Sequence, residues 1–159
     1  MTELTLLLLI LVANGAPVIA TRLCGAHAAW PVDAGLRLPD GHPLFGPSKT
    51  WRGVLSALTA STVAGLICGW PWHLGFTVGA GAMLGDLLSS FCKRRLGLAS
   101  SSEAFGLDQI PEALFPMLAV HRQLALGLPE VIALTVLFVV LGRVLSRILY
   151  RLHIRREPY

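Results

Sequence analysis

Between residues 4 and 150 the chain returns five times to a long apolar run, at about 4–21, 53–69, 73–95, 109–128 and 130–150. Little else constrains a fold so tightly. A run of that length can cross a bilayer, and it must then satisfy its own backbone hydrogen bonds, as a helix does. The whole chain is 54% hydrophobic, 14% charged and has a mean hydropathy of +0.66, which excludes an ordinary soluble bundle. The expected fold is therefore an all-α integral membrane domain over 1–159, with five transmembrane helices. The first run follows Met-Thr-Glu, which has no cation, so it reads as a retained helix rather than a signal peptide. Asn14 within it is costly in lipid unless it faces protein or water, and Pro17 interrupts its backbone bonding. The third run carries Gly75, Gly79, Gly81 and Gly85, spaced for close helix contact.

Charge then sets orientation. Of the 13 Lys and Arg residues, all but Arg122 fall on one side of a five-span arrangement. Arg22, Arg37, Lys49 and Arg52 lie in the first polar loop, Lys93, Arg94 and Arg95 open the next, and Arg143, Arg147, Arg151, Arg155 and Arg156 line the C-terminal end. By the positive-inside rule that side is cytoplasmic and the N-terminus is outside. The basic end reads as an anchor to anionic headgroups. Cys24, Cys68 and Cys92 form no CxxC pair and read as small buried side chains. No nucleic-acid module is visible.

The chemistry gathers on the cytoplasmic side. Asp40 to Gly53 is a Gly- and Pro-rich loop holding Lys49 and Arg52. Asp86, Ser89, Ser90 and Lys93 share one helical stripe. Asp108-Gln109-Ile110-Pro111-Glu112 has the pattern of a helix start with an Asp cap. The second loop, 97–107, contains the Ser100-Ser101-Ser102 run. Carboxylates from two segments suit Mg²⁺, which takes one or two protein carboxylates plus substrate phosphates. Cations, glycine backbone and helix N-termini suit phosphate. The loop lacks the full G-x-x-x-x-G-K-[ST] pattern of a P-loop. A non-enzymatic membrane transporter or lipid-binding scaffold with a structural Asp86 is the alternative reading.

Four strings resemble the CDP-archaeol synthase family of CTP-dependent membrane cytidylyltransferases: Asn14-Gly15-Ala16-Pro17-Val18, the Pro43-Leu44-Phe45-Gly46 to Lys49-Thr50-Trp51-Arg52-Gly53 loop, Gly85-Asp86 to Lys93-Arg94-Arg95, and Asp108-Gln109-Ile110-Pro111. The resemblance implies an active site on two cytoplasmic loops of a multi-pass cell-membrane protein. A lipid phosphate attacks the α-phosphorus of CTP, pyrophosphate leaves and a CDP-lipid forms. The lipid is an isoprenoid ether or a diacyl phosphatidic acid, and the oligomeric state is open. On this reading Asp86 and Asp108 bind Mg²⁺. Lys49, Arg52, Lys93 and Arg94 hold the phosphates. Asn14 and Asp40 orient the loop or touch nucleotide, and Gly46, Ser90 and Arg95 complete the substrate-binding set.

Overall fold

The structure, a computed structural model, describes residues 2–100, 102, 104 and 106–151. Arg155 and Arg156 of the basic end, and Ser101 of the serine run, lie outside the described residues. Five helices follow one another: α1 (Thr2–Cys24), α2 (Trp51–Ile67), α3 (Trp72–Arg95), α4 (Gln109–Val120) and α5 (Leu128–Arg151). α1, α3 and the Leu128–Ile148 part of α5 are long and apolar enough to cross a membrane, whereas α2 and α4 are shorter apolar helices.

α3 is the axis of the bundle, because its glycines admit a neighbour on each of two faces. A Cβ added at Gly75 would stand 2.7 Å from the Ser61 carbonyl oxygen, and one at Gly79 would collide with Ser61 Oγ, both on α2. A Cβ at Gly81 would stand 2.6 Å from Pro116 Cα, and one at Gly85 would strike the Pro111 carbonyl, both at α4. The small-residue spacing thus serves two interfaces, one per glycine pair.

Large apolar side chains fill one end of the bundle. Leu6, Leu9 and Ile10 of α1 meet Val78 of α3, Met117 and Val120 of α4, and Leu134 and Phe138 of α5. Toward the other end the packing turns to small residues, with Ala13, Ala57 and Ala82 around Met83. The outer surfaces are apolar as well: Leu8, Leu55, Val63, Phe76, Leu84, Leu118, Val136 and Val140 are exposed. An apolar exterior over an apolar core is the pattern of a membrane protein, since water would not tolerate so wide a patch.

Three expectations are corrected. The fourth helix ends at Val120 rather than near residue 128, because His121-Arg122-Gln123 leads into a turn with Ala125 at φ 52°. At about 1.5 Å per residue its 12 residues extend about 18 Å, well short of a hydrocarbon layer. Asp108 precedes α4 but makes no side-chain capping bond, its carboxylate being used elsewhere. Cys24 and Cys68 are exposed rather than buried. α1, by contrast, is longer than expected and runs unbroken through Pro17.

Candidate active site

The first polar loop is folded around Asp33. Its Oδ2 accepts from the backbone N–H of Phe45 and of Gly46, each at 2.9 Å, and its Oδ1 accepts from Gly35 N–H at 3.0 Å. Burial pushes this carboxyl upward, but the donations from Gly46, Phe45 and Gly35 outweigh it and hold the group below its ordinary value. Gly46 sits at φ +97°, a conformation that favours glycine, and a Cβ there would be 3.2 Å from Ser100 Oγ. The chain then turns so that Lys49 N–H donates to Gly46 C=O at 3.2 Å. Thr50 caps α2, its Oγ1 accepting from Gly53 N–H at 3.2 Å.

Lys49 is thereby aimed at α3, where its Nζ lies 2.6 Å from Asp86 Oδ1. About two turns further along α3, Lys93 Nζ lies 2.7 Å from Asp108 Oδ1 and donates to Ser102 C=O at 3.0 Å. The other oxygen of Asp108 accepts from Ala104 N–H at 3.0 Å, which explains the missing cap. Arg94 is 3% exposed; its Nη2 donates to Ala99 C=O at 2.8 Å while its buried Nε has no partner among the described residues. Two ion pairs therefore tie the first loop to α3 and α3 to the start of α4. A buried guanidinium with an unmet donor is a ready anion partner.

These groups share one cavity of about 610 Å³. It brings together Asn14, Lys49, Asp86, Ser90, Lys93, Arg94 and Asp108 of the expected set. It adds Gln109, Glu112, Arg143 and Ser146, and its lining also includes the apolar Leu11, Val18, Phe138 and Leu145. Asn14 also donates to the Ile10 carbonyl of its own helix at 3.0 Å.

Four expected residues lie outside the cavity lining and hold the loops instead. Arg52 donates to the carbonyls of Gly25 and His27 and to Thr21 Oγ1, closing the end of α1. Arg95 pairs with Asp40 and donates to Pro43 C=O at 2.7 Å. Asp40 Oδ1 accepts from His42 N–H at 3.0 Å, shaping the loop tip. Gly46 supplies the turn described above. Asp33 was invisible as a hub, although Asp33-Ala34-Gly35 is the kind of string in which an Asp side chain bonds the backbone two residues on. Glu112 stood one turn from Asp108 in the sequence, which was signal enough to include it.

The donor set is hard oxygen: the carboxylates of Asp86, Asp108 and Glu112 line the same cavity. Among the described residues no group of three or more His, Cys, Asp or Glu could hold a metal by itself. A magnesium ion fits such a place when substrate phosphates complete its shell.

Residues 1–159 match the sequence model of the family described as CarS-like, CDP-archaeol synthase. The CDP-archaeol synthase of Pyrobaculum aerophilum is 35% identical over 153 residues, covering 93% of this chain and 92% of that one. The CDP-archaeol synthase of Sulfurisphaera tokodaii is 36% identical over 156 residues, covering 94% and 90%. A solved structure described as an intramembrane enzyme for archaeal membrane lipids biosynthesis is similar at TM-score 0.72 and 32% identity, over 87% of this chain and 88% of that one.

Proposed function

The chain belongs to the CDP-archaeol synthase family and is a membrane cytidylyltransferase that moves CMP from CTP to a lipid phosphate, and from that premise we propose that the cavity between the first loop, α3, the start of α4 and α5 is where the transfer occurs. The observation that carries this is the convergence of two lysine–carboxylate pairs from separate segments in a cavity lined by both charged and apolar side chains. A nucleotide triphosphate needs the charged groups and a lipid needs the apolar ones.

Lys49, Lys93 and Arg94 bind the triphosphate. Without substrate Lys49 and Lys93 neutralise Asp86 and Asp108, and with substrate the lysines turn to phosphate oxygens. Asp86 and Asp108 would then hold Mg²⁺, with Glu112 adjacent, and the ion would supply charge neutralisation on the phosphates. Asn14 and Ser90 orient the nucleotide. Asp33, Asp40, Gly46, Arg52 and Arg95 position the loop. An oxygen of the lipid phosphate bonds to the α-phosphorus as the bond to the β-phosphate oxygen breaks, and pyrophosphate leaves. No general base is needed, since the lipid phosphate is already ionised. Catalysis is positioning and charge neutralisation.

The finer topology belongs to the same proposal. The protein is a multi-pass cell-membrane protein whose chain crosses five times, the short α4 crossing together with the 121–127 turn that follows it, with its N-terminus outside and its C-terminus and the cavity on the cytoplasmic side. The exposed Trp51 and Trp72 start α2 and α3, where amphipathic rings suit opposite interfaces. The test is incubation with labelled CTP, Mg²⁺ and either an isoprenoid diether glycerol phosphate or a diacyl phosphatidic acid. A labelled CDP-lipid from at least one is expected from the wild type and not from Asp86→Asn. Label transfer by Asp86→Asn at the wild-type rate would move the site elsewhere.

A further inference from the structure

Two anions must meet in this cavity, and its cations are not all in one place. Lys49, Lys93 and Arg94 cluster with the carboxylates on the first loop and α3. A fourth cation, Arg143, lines the cavity from α5. It lies within the apolar Leu128–Ile148 segment, where an arginine is costly unless it faces a polar space. On the same helix Phe138 and Leu145 supply part of the cavity's apolar lining, and Ser146, 9% exposed, supplies a hydroxyl one turn on. Arg143 itself is exposed.

Arg143 shares the cavity lining with Phe138, Leu145 and Ser146 of its own helix. A lipid phosphate whose chains lie against those apolar side chains would bring its charge to the guanidinium.

We propose that Arg143 of α5 is the lipid-phosphate-binding residue, receiving the acceptor's phosphate beside the apolar cavity-lining side chains of its own helix. This rests on the cavity being the site of transfer. A guanidinium offers a bidentate grip on a phosphate, so it fixes the oxygen that attacks as well as the charge. The two substrates are then held by separate helices: the nucleotide on α3 and the loop, the lipid on α5.

The test is steady-state kinetics in detergent with an isoprenoid diether glycerol phosphate or diacyl phosphatidic acid, whichever the wild type uses, for Arg143→Ala, Arg143→Lys and Arg147→Ala. Arg147 lies one turn further on, outside the cavity lining. Arg143→Ala is expected to raise the KM for the lipid at least tenfold, with the KM for CTP within about twofold of wild type. The thermal shift given by CTP and Mg²⁺ without lipid should be unchanged. Arg143→Lys should recover part of the loss, and Arg147→Ala should match wild type. An unchanged lipid KM in Arg143→Ala, or a lost CTP-dependent thermal shift, overturns the assignment. Where Arg143→Ala does not yield folded protein, Arg143→Gln carries the same comparison. Full activity in Asp86→Asn would be a different failure, that of the cavity as the site.

Discussion

Lys49 Nζ meets Asp86 Oδ1 at 2.6 Å across 37 residues of chain, so the loop and the central helix hold each other through the charges that the proposed reaction would use. The pair is partly exposed, with 22% of the lysine side chain and 19% of the aspartate side chain accessible. It can open to phosphate without unfolding its surroundings. Asp86→Asn should lower CMP transfer at least about a hundredfold at saturating Mg²⁺. Lys49→Ala should act mainly through the KM for CTP. A rate for Asp86→Asn within tenfold of wild type would contradict the role given to this carboxylate.

The second pair separates stability from chemistry. Lys93 is nearly buried, and Asp108→Asn leaves its ammonium without a counter-charge, at a cost of about 3 kcal/mol. Thermal unfolding in detergent should show the loss, and Lys93→Met in the same chain should restore much of it. The double variant should remain inactive. A double variant as unstable as Asp108→Asn would mean that the pair is not what holds these helices.

Arg52 and Lys49 are neighbours in sequence with different work. Arg52→Ala should loosen the end of α1 and lower the melting temperature, since its guanidinium is engaged with Gly25, His27 and Thr21. Its effect on CTP affinity should be smaller than that of Lys49→Ala. A titration in which Arg52→Ala loses more CTP binding than Lys49→Ala would reverse that order.

Asp33 predicts a pH dependence. Its folded-state pKa is lowered, so its contribution to stability is fully present above the ordinary value of 3.8 and is lost as pH falls through the depressed folded value. Asp33→Asn turns one accepting oxygen into a donor facing backbone N–H groups, costing about 1–3 kcal/mol. The difference in melting temperature between wild type and Asp33→Asn should be constant above about pH 5 and shrink steadily in acid. A difference that grows as pH falls would be the wrong sign.

The exposed Cys24 and Cys68 allow the topology to be measured directly. In the five-span arrangement they end α1 and follow α2 on opposite sides of the bilayer. With the other cysteines replaced by Ser, a membrane-impermeant maleimide should label Cys68 on intact cells and Cys24 only after the membrane is opened. Labelling of both from outside would rule out the arrangement.

The helices were legible because an apolar run of membrane length leaves the backbone few choices. The glycine spacing of α3 likewise announced close contact, although only the packing shows that Gly75 and Gly79 serve α2 while Gly81 and Gly85 serve α4. The end of α4 was not legible, because Leu124-Ala125-Leu126 resumes an apolar pattern beyond His121-Arg122-Gln123 and imitates a continuing helix, while Ala125 adopts a left-handed turn. Lys49, Asp86, Lys93 and Asp108 could be found because charges beside apolar runs demand partners. Asp33 could not be ranked, since its partners are backbone N–H groups 12 and 13 residues away and leave no side-chain pattern. Arg143 hid among the arginines of a helix end that reads as a headgroup anchor.

The mixed lining of the cavity has a consequence for how the proposed reaction is supplied. CTP and pyrophosphate dissolve in water, while the lipid phosphate and the CDP-lipid stay in the bilayer. A chamber lined by lysine and arginine as well as by leucine and phenylalanine would serve both phases, so each turnover would exchange one molecule with water and one with the bilayer, in either direction of transfer.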